Sequence, residues 1–329
     1  MKKFDCHVHL VGNLCGIGSE GELRPLGKGM VQYATGRTFK LWPTEYGDKT
    51  VEPETLIKVM KENEVEYAVC LQGNYGGFQN LYTYEASLKY KSLIPAGTYD
   101  PFFRKKDLII NHLFDELKLP VIKMEVSNGS GLMANHDTVL LNGDIMNEVY
   151  EMANNHHLIF FIDIGRPSNN CYQIDNLVES IKKYPNMKFV VCHLTAPQKD
   201  QMDLLKENMN KLKLDNVYFD IASLPNNTKE EYPFPLAQEY IKEAINIVGS
   251  DKILWGTDFP YAMKNYSYLE SYKYIEDSNL FTQEEKENIF YNNAKKLFKE
   301  LIWKAYIFIY PFVVVFVAIV IFLKWWVVK

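Results

Sequence analysis

Two histidines separated by one residue, in the N-terminal segment DCHVHL, are well suited to hold a metal ion. In an extended strand alternate side chains share a face, so His7 and His9 can approach one ion from the same side. The same alternation predicts that Asp5 points inward with them, while Cys6 and Val8 point toward the surrounding layer. The alternative is a pair of core histidines, but burying two imidazoles without polar partners is costly.

Further polar residues end other apolar runs and could complete such a site. Asp163 ends LIFFID, His193 ends KFVVCH and Asp258 follows KILWGT. Imidazoles with one or two carboxylates and an open position are typical of catalytic zinc, and manganese or iron also accept them. We therefore expect one divalent ion, zinc first, which would acidify a bound water and polarise a carbonyl group. Asp258 would bind the ion or accept a proton, and His193 would orient water or stabilise charge on a substrate oxygen.

The elements that must position these residues are strands alternating with helices. Short apolar runs alternate with amphipathic stretches, the pattern of βα units around a parallel sheet. Predicted helices between the strands include 54–63, 108–117, 145–154, 174–183, 204–212 and 236–247, with closing helices at 269–277, 283–291 and 293–301. The predicted strands are 3–10, 67–72, 93–97, 121–126, 158–164, 188–193, 217–221 and 253–257.

Eight such strands favour a (β/α)₈ TIM barrel, an α/β fold in which catalytic groups stand at the carboxyl ends of the strands. A doubly wound open sheet is the alternative, but it would normally carry a GxGxxG loop after its first strand. The segment HLVGNLCGIG at that place lacks this motif. The barrel is therefore the predicted fold.

The connection spanning residues 11–50, after the first strand, is unusually long and predicts a lid or wall over an active site. It contains Arg24 and Arg37; one of these, or Arg166, could hold the substrate carboxylate of a decarboxylase bidentately. Lys123 lies on the fourth predicted strand. It could bind substrate or form a structural ion pair with Glu125 or another neighbour.

Composition excludes some classes of function. The chain has 329 residues and a formal net charge of −5, so it lacks the basic balance of a nucleic-acid-binding protein. Its five cysteines are scattered without a CxxC pair, which indicates a reducing compartment and a cytoplasmic catalytic domain. The partner expected for such a cavity is a small-molecule substrate.

The C-terminal segment differs from the rest. Residues 305–323 carry no charge and are followed by Lys324, Trp325 and Trp326. This length and these flanks predict a C-terminal apolar transmembrane helix that anchors the chain to a membrane, with a buried tail as the alternative. The predicted domains are therefore a barrel of residues 1–301 and a tail of residues 302–329.

Three segments together resemble the amidohydrolase superfamily, specifically its amidohydrolase-related branch of metal-dependent hydrolases and decarboxylases. They are DCHVHL, VVCHLTAP and WGTDFPY, and the resemblance runs from about residue 3 to NNAKKLF near residue 298. It implies that His7 and His9 are metal ligands, that Asp258 binds metal or accepts a proton, and that His193 lies near metal and substrate. It also implies pairing into a homodimer.

The chain departs from this branch at two places. Asp163 stands where the branch usually has a metal-binding histidine; as a ligand it would favour manganese or another oxygen-loving ion, and it could also weaken metal binding. Leu194, Thr195 and Ala196 replace the glycines that commonly follow the strand-6 histidine.

Three functions follow as hypotheses. The first is a hydrolase of an amide, lactone or similar carbonyl compound. The second is a non-oxidative decarboxylase using the same site. The third is a catalytically silent barrel that acts as a binding protein.

Overall fold

The secondary structure of the barrel follows the alternation of apolar and amphipathic segments. The computed structural model describes residues 1–299 and 301. Its strands are β1 Lys3–Val8, β2 Ile17–Gly18, β3 Gly21–Gly27, β4 Met30–Tyr33, β5 Thr38–Lys40, β6 Val65–Cys70, β7 Leu93–Gly97, β8 Val121–Glu125, β9 Ile159–Asp163, β10 Lys188–Val191, β11 Val217–Asp220 and β12 Ile253–Leu254.

The helices pack around the strands with one apolar face inward. The first begins at Pro53, whose missing N–H is not needed at the first helical position. The helices are α1 Pro53–Glu62, α2 Asn80–Lys89, α3 Lys106–Ile110, α4 Leu132–Asn135, α5 Asp144–Asn155, α6 Ile174–Lys183, α7 Met202–Lys211, α8 Leu224–Thr228, α9 Pro235–Val248, α10 Glu270–Glu276, α11 Gln283–Glu287 and α12 Asn293–Leu297. One-turn π-helices, Asn111–Glu116 and Asn288–Asn292, continue α3 and α11.

Eight parallel strands form one sheet in the order β1-β6-β7-β8-β9-β10-β11-β12. The two edges meet where β1 approaches the segment after β12. The amide of Cys6 donates to the carbonyl of Trp255 at 2.9 Å, and Val8 pairs with Phe259 in a parallel bridge. These contacts close the sheet, so the predicted eight-stranded barrel is confirmed.

The barrel interior has an apolar lower part and a polar upper part. Phe161, Val190 and Phe298 belong to a fully buried interior cluster to which each barrel strand contributes. Further along the same strand faces, toward the carboxyl ends, stand Lys123 and Asp163. Alternate strand residues pack against the helices instead. The apolar floor therefore confines polar chemistry to the carboxyl-terminal mouth.

The first strand does not alternate as predicted. Its pairing with β6 shifts between Asp5 and Val8, which is the mark of a bulge. Cys6 consequently joins the interior cluster, whereas Asp5 accepts hydrogen bonds from the hydroxyls of Thr257 and Tyr268, both at 2.7 Å. The predicted orientations of Asp5 and Cys6 were therefore wrong.

The long connection after β1 is a folded unit. Its strands β2, β3, β4 and β5 form a four-stranded antiparallel sheet rather than an irregular loop. Phe39 of β5 and Leu41 just beyond it reach the barrel mouth and line the cavity there. The segment is thus one wall of the cavity.

The prediction of a membrane-spanning helix is corrected. Within residues 1–299 and 301, no helix has the length and apolarity needed to cross a bilayer. The predicted span, residues 305–323, lies outside the described residues, as does the rest of the apolar tail. The division into a barrel domain and a tail stays a prediction.

Candidate active site

A cavity of about 510 Å³ opens at the carboxyl ends of the barrel strands. Its size is in the range of small-molecule sites. Seven of the residues predicted from the sequence line it: His7, His9, Lys123, Asp163, Arg166, His193 and Asp258.

Two imidazoles and one carboxylate converge at the base of this cavity. The Nε2 atom of His9 lies 3.1 Å from Oδ1 of Asp258, and Nε2 of His7 lies 3.9 Å from the same oxygen. Nδ1 of His9 donates to the carbonyl of Leu71 at 3.1 Å, and Nδ1 of His7 donates to Asp220 at 3.1 Å. Both protons therefore reside on Nδ1, and the Nε2 lone pairs face the shared space.

This arrangement fits a divalent metal ion. The Nε2 atom of His7 is buried without a hydrogen-bond partner in the described part of the chain, a costly state that an ion would relieve. Burial lowers the pKa of His7 to about 4, so the imidazole is neutral at neutral pH and can act as a ligand. Burial opposes the charge on Asp258, but the neighbouring imidazoles of His9, His7 and His193 outweigh it and hold its pKa well below the usual range.

Asp163 and His193 form a separate pair. Nε2 of His193 lies 3.3 Å from Oδ2 of Asp163, and Nδ1 donates to the carbonyl of Ala222 at 2.8 Å. Both ring nitrogens face acceptors, which favours the doubly protonated ring. Burial disfavours that charge, but the carboxylate of Asp163 outweighs burial and raises the pKa of His193 to about 10.

Asp163 is consequently not positioned with the other predicted ligands. Among the described residues, the ligand atoms that come within 4.8 Å of one another include His7, His9 and Asp258 but not Asp163. Its role as a ligand stays a prediction, and the geometry joins it to His193.

A run of left-handed backbone delivers His193 to the cavity. His193, Leu194, Thr195 and Ala196 have φ angles of 59°, 52°, 64° and 52°. Such values cost free energy for residues with a Cβ, so a non-glycine run persists only when surrounding contacts enforce it. One of those contacts is Asp220, whose Oδ1 accepts from the amide of His193 at 3.0 Å.

Asp220 is a site residue that the sequence reasoning does not single out. It ends β11, is completely buried, and touches both His7 and the His193 turn. His7, Cys192 and Asp220 form a second group of atoms close enough to share an ion. However, burial raises the pKa of the Cys192 thiol well above its usual value, and a neutral thiol is a poor ligand. The contact between His7 and Asp220 is better described as a hydrogen bond that orients the imidazole.

Two further charged groups are held inside the barrel. Lys123 is buried, and its ammonium donates to the carbonyl of Gln72 at 3.5 Å. Burial alone would lower its pKa, but the carboxylates of Asp163, Glu125 and Asp258 raise it. Glu125 accepts hydrogen bonds from two serine hydroxyls, at 2.9 and 2.5 Å.

Two of the predicted substrate-binding arginines do not reach the cavity. Arg24 donates to Gln32 on the outer face of the antiparallel sheet, at 2.6 Å, and Arg37 pairs with Glu20, also at 2.6 Å. Both arginine side chains are exposed, and neither is among the described residues that line the cavity. Arg24 lies in the antiparallel sheet, where it pairs with Gln32 across β3 and β4, and Arg37 directly precedes β5 of the same sheet. Arg166 does line the cavity.

The chain belongs to the amidohydrolase family, whose family model matches residues 4–299. This match covers the barrel and each of the three candidate ligands. No curated protein sequence matches the chain significantly.

Solved structures show the same fold at low sequence identity. A probable 2-pyrone-4,6-dicarboxylic acid hydrolase from Acinetobacter baumannii, with citric acid bound, is 14% identical, with a TM-score of 0.65 over 91% of this chain and 100% of that one. An amidohydrolase from Burkholderia multivorans with bound zinc is 11% identical, with a TM-score of 0.64 over 90% and 98%. A 2,6-dihydroxybenzoate decarboxylase from Rhizobium is 12% identical, with a TM-score of 0.55 over 75% and 88%.

Proposed function

We propose that this amidohydrolase-family protein is a metal-dependent hydrolase that directs water onto an amide, lactone or similar carbonyl group of a small molecule. The observation that carries the proposal is the convergence of His7, His9 and Asp258, together with the unpartnered Nε2 of His7. Zinc suits two nitrogen ligands and one oxygen ligand, with manganese or iron as alternatives. A bound ion of this kind supplies a more acidic water and a polarised carbonyl group.

The protein's own groups have complementary roles in this proposal. Asp258 is deprotonated, and its Oδ2 accepts a hydrogen bond from Ser223 at 2.5 Å, which fixes the carboxylate. It therefore carries no proton of its own and can accept one from the attacking water. His193 carries a proton on Nε2 and lines the same cavity, so it can stabilise negative charge that develops on the substrate oxygen.

Aromatic side chains shield this chemistry from solvent. The ring of Tyr261 packs on His9 with centroids 4.8 Å apart, and Tyr75 and Phe39 extend the same wall. Packing against Tyr261 also restricts rotation of the His9 imidazole. An apolar wall excludes water and strengthens the electrostatic interactions inside the cavity.

Metal content tests the proposal directly. We expect about one transition-metal ion per purified chain by elemental analysis, as for a single catalytic site. The double variant His7→Ala/His9→Ala should lose the metal and hydrolysis of lactone and amide substrates. A matched double variant of partly exposed histidines, His112→Ala/His156→Ala, should retain both. A wild-type chain without metal would favour the silent binding barrel instead.

Decarboxylation is the second candidate, and the protonated state of His193 favours it specifically. An imidazolium beside the cavity can supply the proton that replaces a departing carboxylate on carbon. Product analysis separates the two reactions. Carbon dioxide released from an aromatic or unsaturated acid would establish the lyase, whereas ring opening or amide cleavage without it supports the hydrolase. Homodimer formation and a cytoplasmic location stay predictions.

A further inference from the structure

Two cationic side chains line the cavity without a protein counter-ion. Arg166 follows β9 and Lys264 lies in the loop after β12, so they approach the cavity from different strands. Within residues 1–299 and 301, neither side chain forms an ion pair or a side-chain hydrogen bond. By contrast, Arg37 on the outer sheet is paired with Glu20.

The acidic groups of the cavity are already engaged elsewhere. Glu125 accepts from two serine hydroxyls and a backbone amide. Asp163 faces His193 at 3.3 Å, and Asp258 faces His9 at 3.1 Å. These carboxylates are therefore committed to other donors, and the two cations stay available to an incoming anion.

The two cations also lie close enough to interact with each other. Partial desolvation by the cavity walls is the main cause that lowers the pKa of Lys264, although the residue is exposed overall; Asp258 opposes the shift and the charge of Arg166 adds to it. Holding two like charges at one cavity is unfavourable unless an anion comes between them. A carboxylate bound by both would relieve this repulsion.

Side-chain carboxamides line this cavity together with the two cations. Phe39, Leu41, Tyr75 and Tyr261 line the same cavity. One small molecule could therefore meet both cationic and aromatic side chains there. The amide residues that line it are Asn128, Asn169, Asn226, Asn227 and Asn265.

We propose that Arg166 and Lys264 form a subsite for a carboxylate group of the substrate that does not itself react. The substrate class is then a small lactone, ester or amide that also bears a carboxylate, with the carboxylate at the cation pair and the reacting carbonyl near His7 and His9. The substrate class rests on the proposed hydrolase function. The anion subsite does not, because neither cation is itself a candidate metal ligand.

Calorimetric titration of the full-length protein tests the subsite with three probes. Glutarate carries two carboxylates, butyrate carries one, and glutaramide has the length of glutarate without charge. We expect glutarate to bind most tightly, glutaramide least, and added salt to weaken glutarate binding. Loss of one charge-assisted contact should weaken binding about tenfold or more.

Substitutions test whether Arg166 and Lys264 are the residues that bind glutarate. Arg166→Gln and Lys264→Gln should each weaken glutarate binding about tenfold, with a larger loss in the double variant, whereas Arg166→Lys should lose less because the charge remains. Arg24→Gln and Arg37→Gln remove cations outside the cavity and should change nothing. Both cavity positions are exposed, so thermal melts should show an intact fold.

Two results would overturn the subsite: glutarate binding no tighter than glutaramide binding, or unchanged glutarate binding in the Arg166→Gln/Lys264→Gln variant. Failure of the hydrolase proposal would look different. In that case the wild-type chain would lack metal and hydrolysis, yet glutarate would still bind in a way that depends on both cations.

Discussion

Nδ1 of His7 lies 3.1 Å from Oδ2 of Asp220, and both side chains are almost completely buried. The other oxygen of this carboxylate accepts from the amides of His193 and Ala222, at 3.0 and 3.1 Å. One carboxylate therefore orients a candidate metal ligand and also holds the turn that carries His193. Acceptors of this type fix the tautomer and direction of an imidazole ligand.

Replacing Asp220 by asparagine should separate orientation from folding. Asparagine can still accept from the two backbone amides, but His7 loses a charged acceptor for its Nδ1 proton. We expect metal affinity to fall about 10- to 100-fold, measured by competition with a coloured chelator. The buried Asp5 provides the control, because it accepts from Thr257, Tyr268 and the backbone amide of His7 but contacts no imidazole ring, and asparagine keeps an oxygen for that amide. Asp5→Asn should lower the melting temperature with unchanged metal affinity, and equal affinities for wild type and Asp220→Asn would refute the role of Asp220.

The protonation of His193 should be visible as a shifted titration in chelator-treated protein. Asp163 raises the pKa of His193 to about 10 despite burial, from an ordinary value of 6.5. The folded state therefore holds the proton more tightly than the unfolded state. The stabilisation is fully present below pH 6.5 and is lost as the pH rises through about 10.

Nuclear magnetic resonance of the imidazole nitrogens gives the check. Wild-type His193 should remain protonated across neutral pH, and Asp163→Asn should return its pKa toward the ordinary range. His136 offers an internal reference, because it is partly exposed and pairs with Asp100 outside this site. A His193 signal that titrates near 6.5 in the wild-type chain would contradict the prediction.

The left-handed backbone after β10 predicts that replacing alanine by glycine raises the free energy of unfolding at Ala196 but lowers it at Ala153, in an ordinary helix. Ala196 has a φ of 52° and ψ of 47°, where a Cβ costs about 1–2 kcal/mol. Ala196→Gly relieves this strain. Glycine also has more conformational freedom in the unfolded chain, which lowers the gain in stability by about 0.5–1 kcal/mol. We therefore expect the free energy of unfolding to rise by up to about 1 kcal/mol, measured by urea titration.

Ala153 in α5 is the matched control because it has ordinary helical geometry and is also buried. Ala153→Gly should lower the free energy of unfolding by about 1 kcal/mol. Destabilisation by Ala196→Gly as large as that of Ala153→Gly would show that the turn is not strained.

The barrel and its polar mouth could be predicted because they depend on local patterns. Apolar runs of strand length recur between amphipathic stretches, and a parallel barrel gathers the carboxyl ends of its strands. His193 and Asp258 follow from that topology alone. The pairing of Asp163 with His193 could not be predicted from the sequence. It depends on the left-handed turn at His193, and no glycine marks that turn in the sequence.

Three other features depend on pairing between segments, two over long distances in the chain and one within the long connection. Asp220 ends an apolar run as Asp163 does, but its partner His7 is 213 positions away. The bulge at Cys6 arises from the pairing of β1 with its neighbours, so strict alternation misplaces Asp5. The sequence alone allowed Arg24 to bind a substrate carboxylate. The residue instead lies on an antiparallel sheet within the long connection, outside the cavity.

Gly256, in the WGTD segment after β12, leaves the space that His7 occupies. A Cβ at this position would lie 2.8 Å from the Cβ of His7 and 3.2 Å from its backbone nitrogen, well inside van der Waals contact. Gly256→Ala must therefore displace His7. We expect a loss of about 1–3 kcal/mol in stability from overpacking, together with weaker metal binding.

Gly129→Ala is the appropriate control for this substitution. Gly129 also lines the cavity, but a Cβ there would meet only the hydroxyl of Tyr75, at 3.6 Å. It should therefore leave metal content unchanged. Comparing metal content and urea titrations of the two variants distinguishes a displaced ligand from a general sensitivity of cavity glycines. If Gly256→Ala bound metal as tightly as Gly129→Ala does, the position of His7 would not depend on this close contact, and the convergence of His7 and His9 on Asp258 would tolerate movement of the first strand.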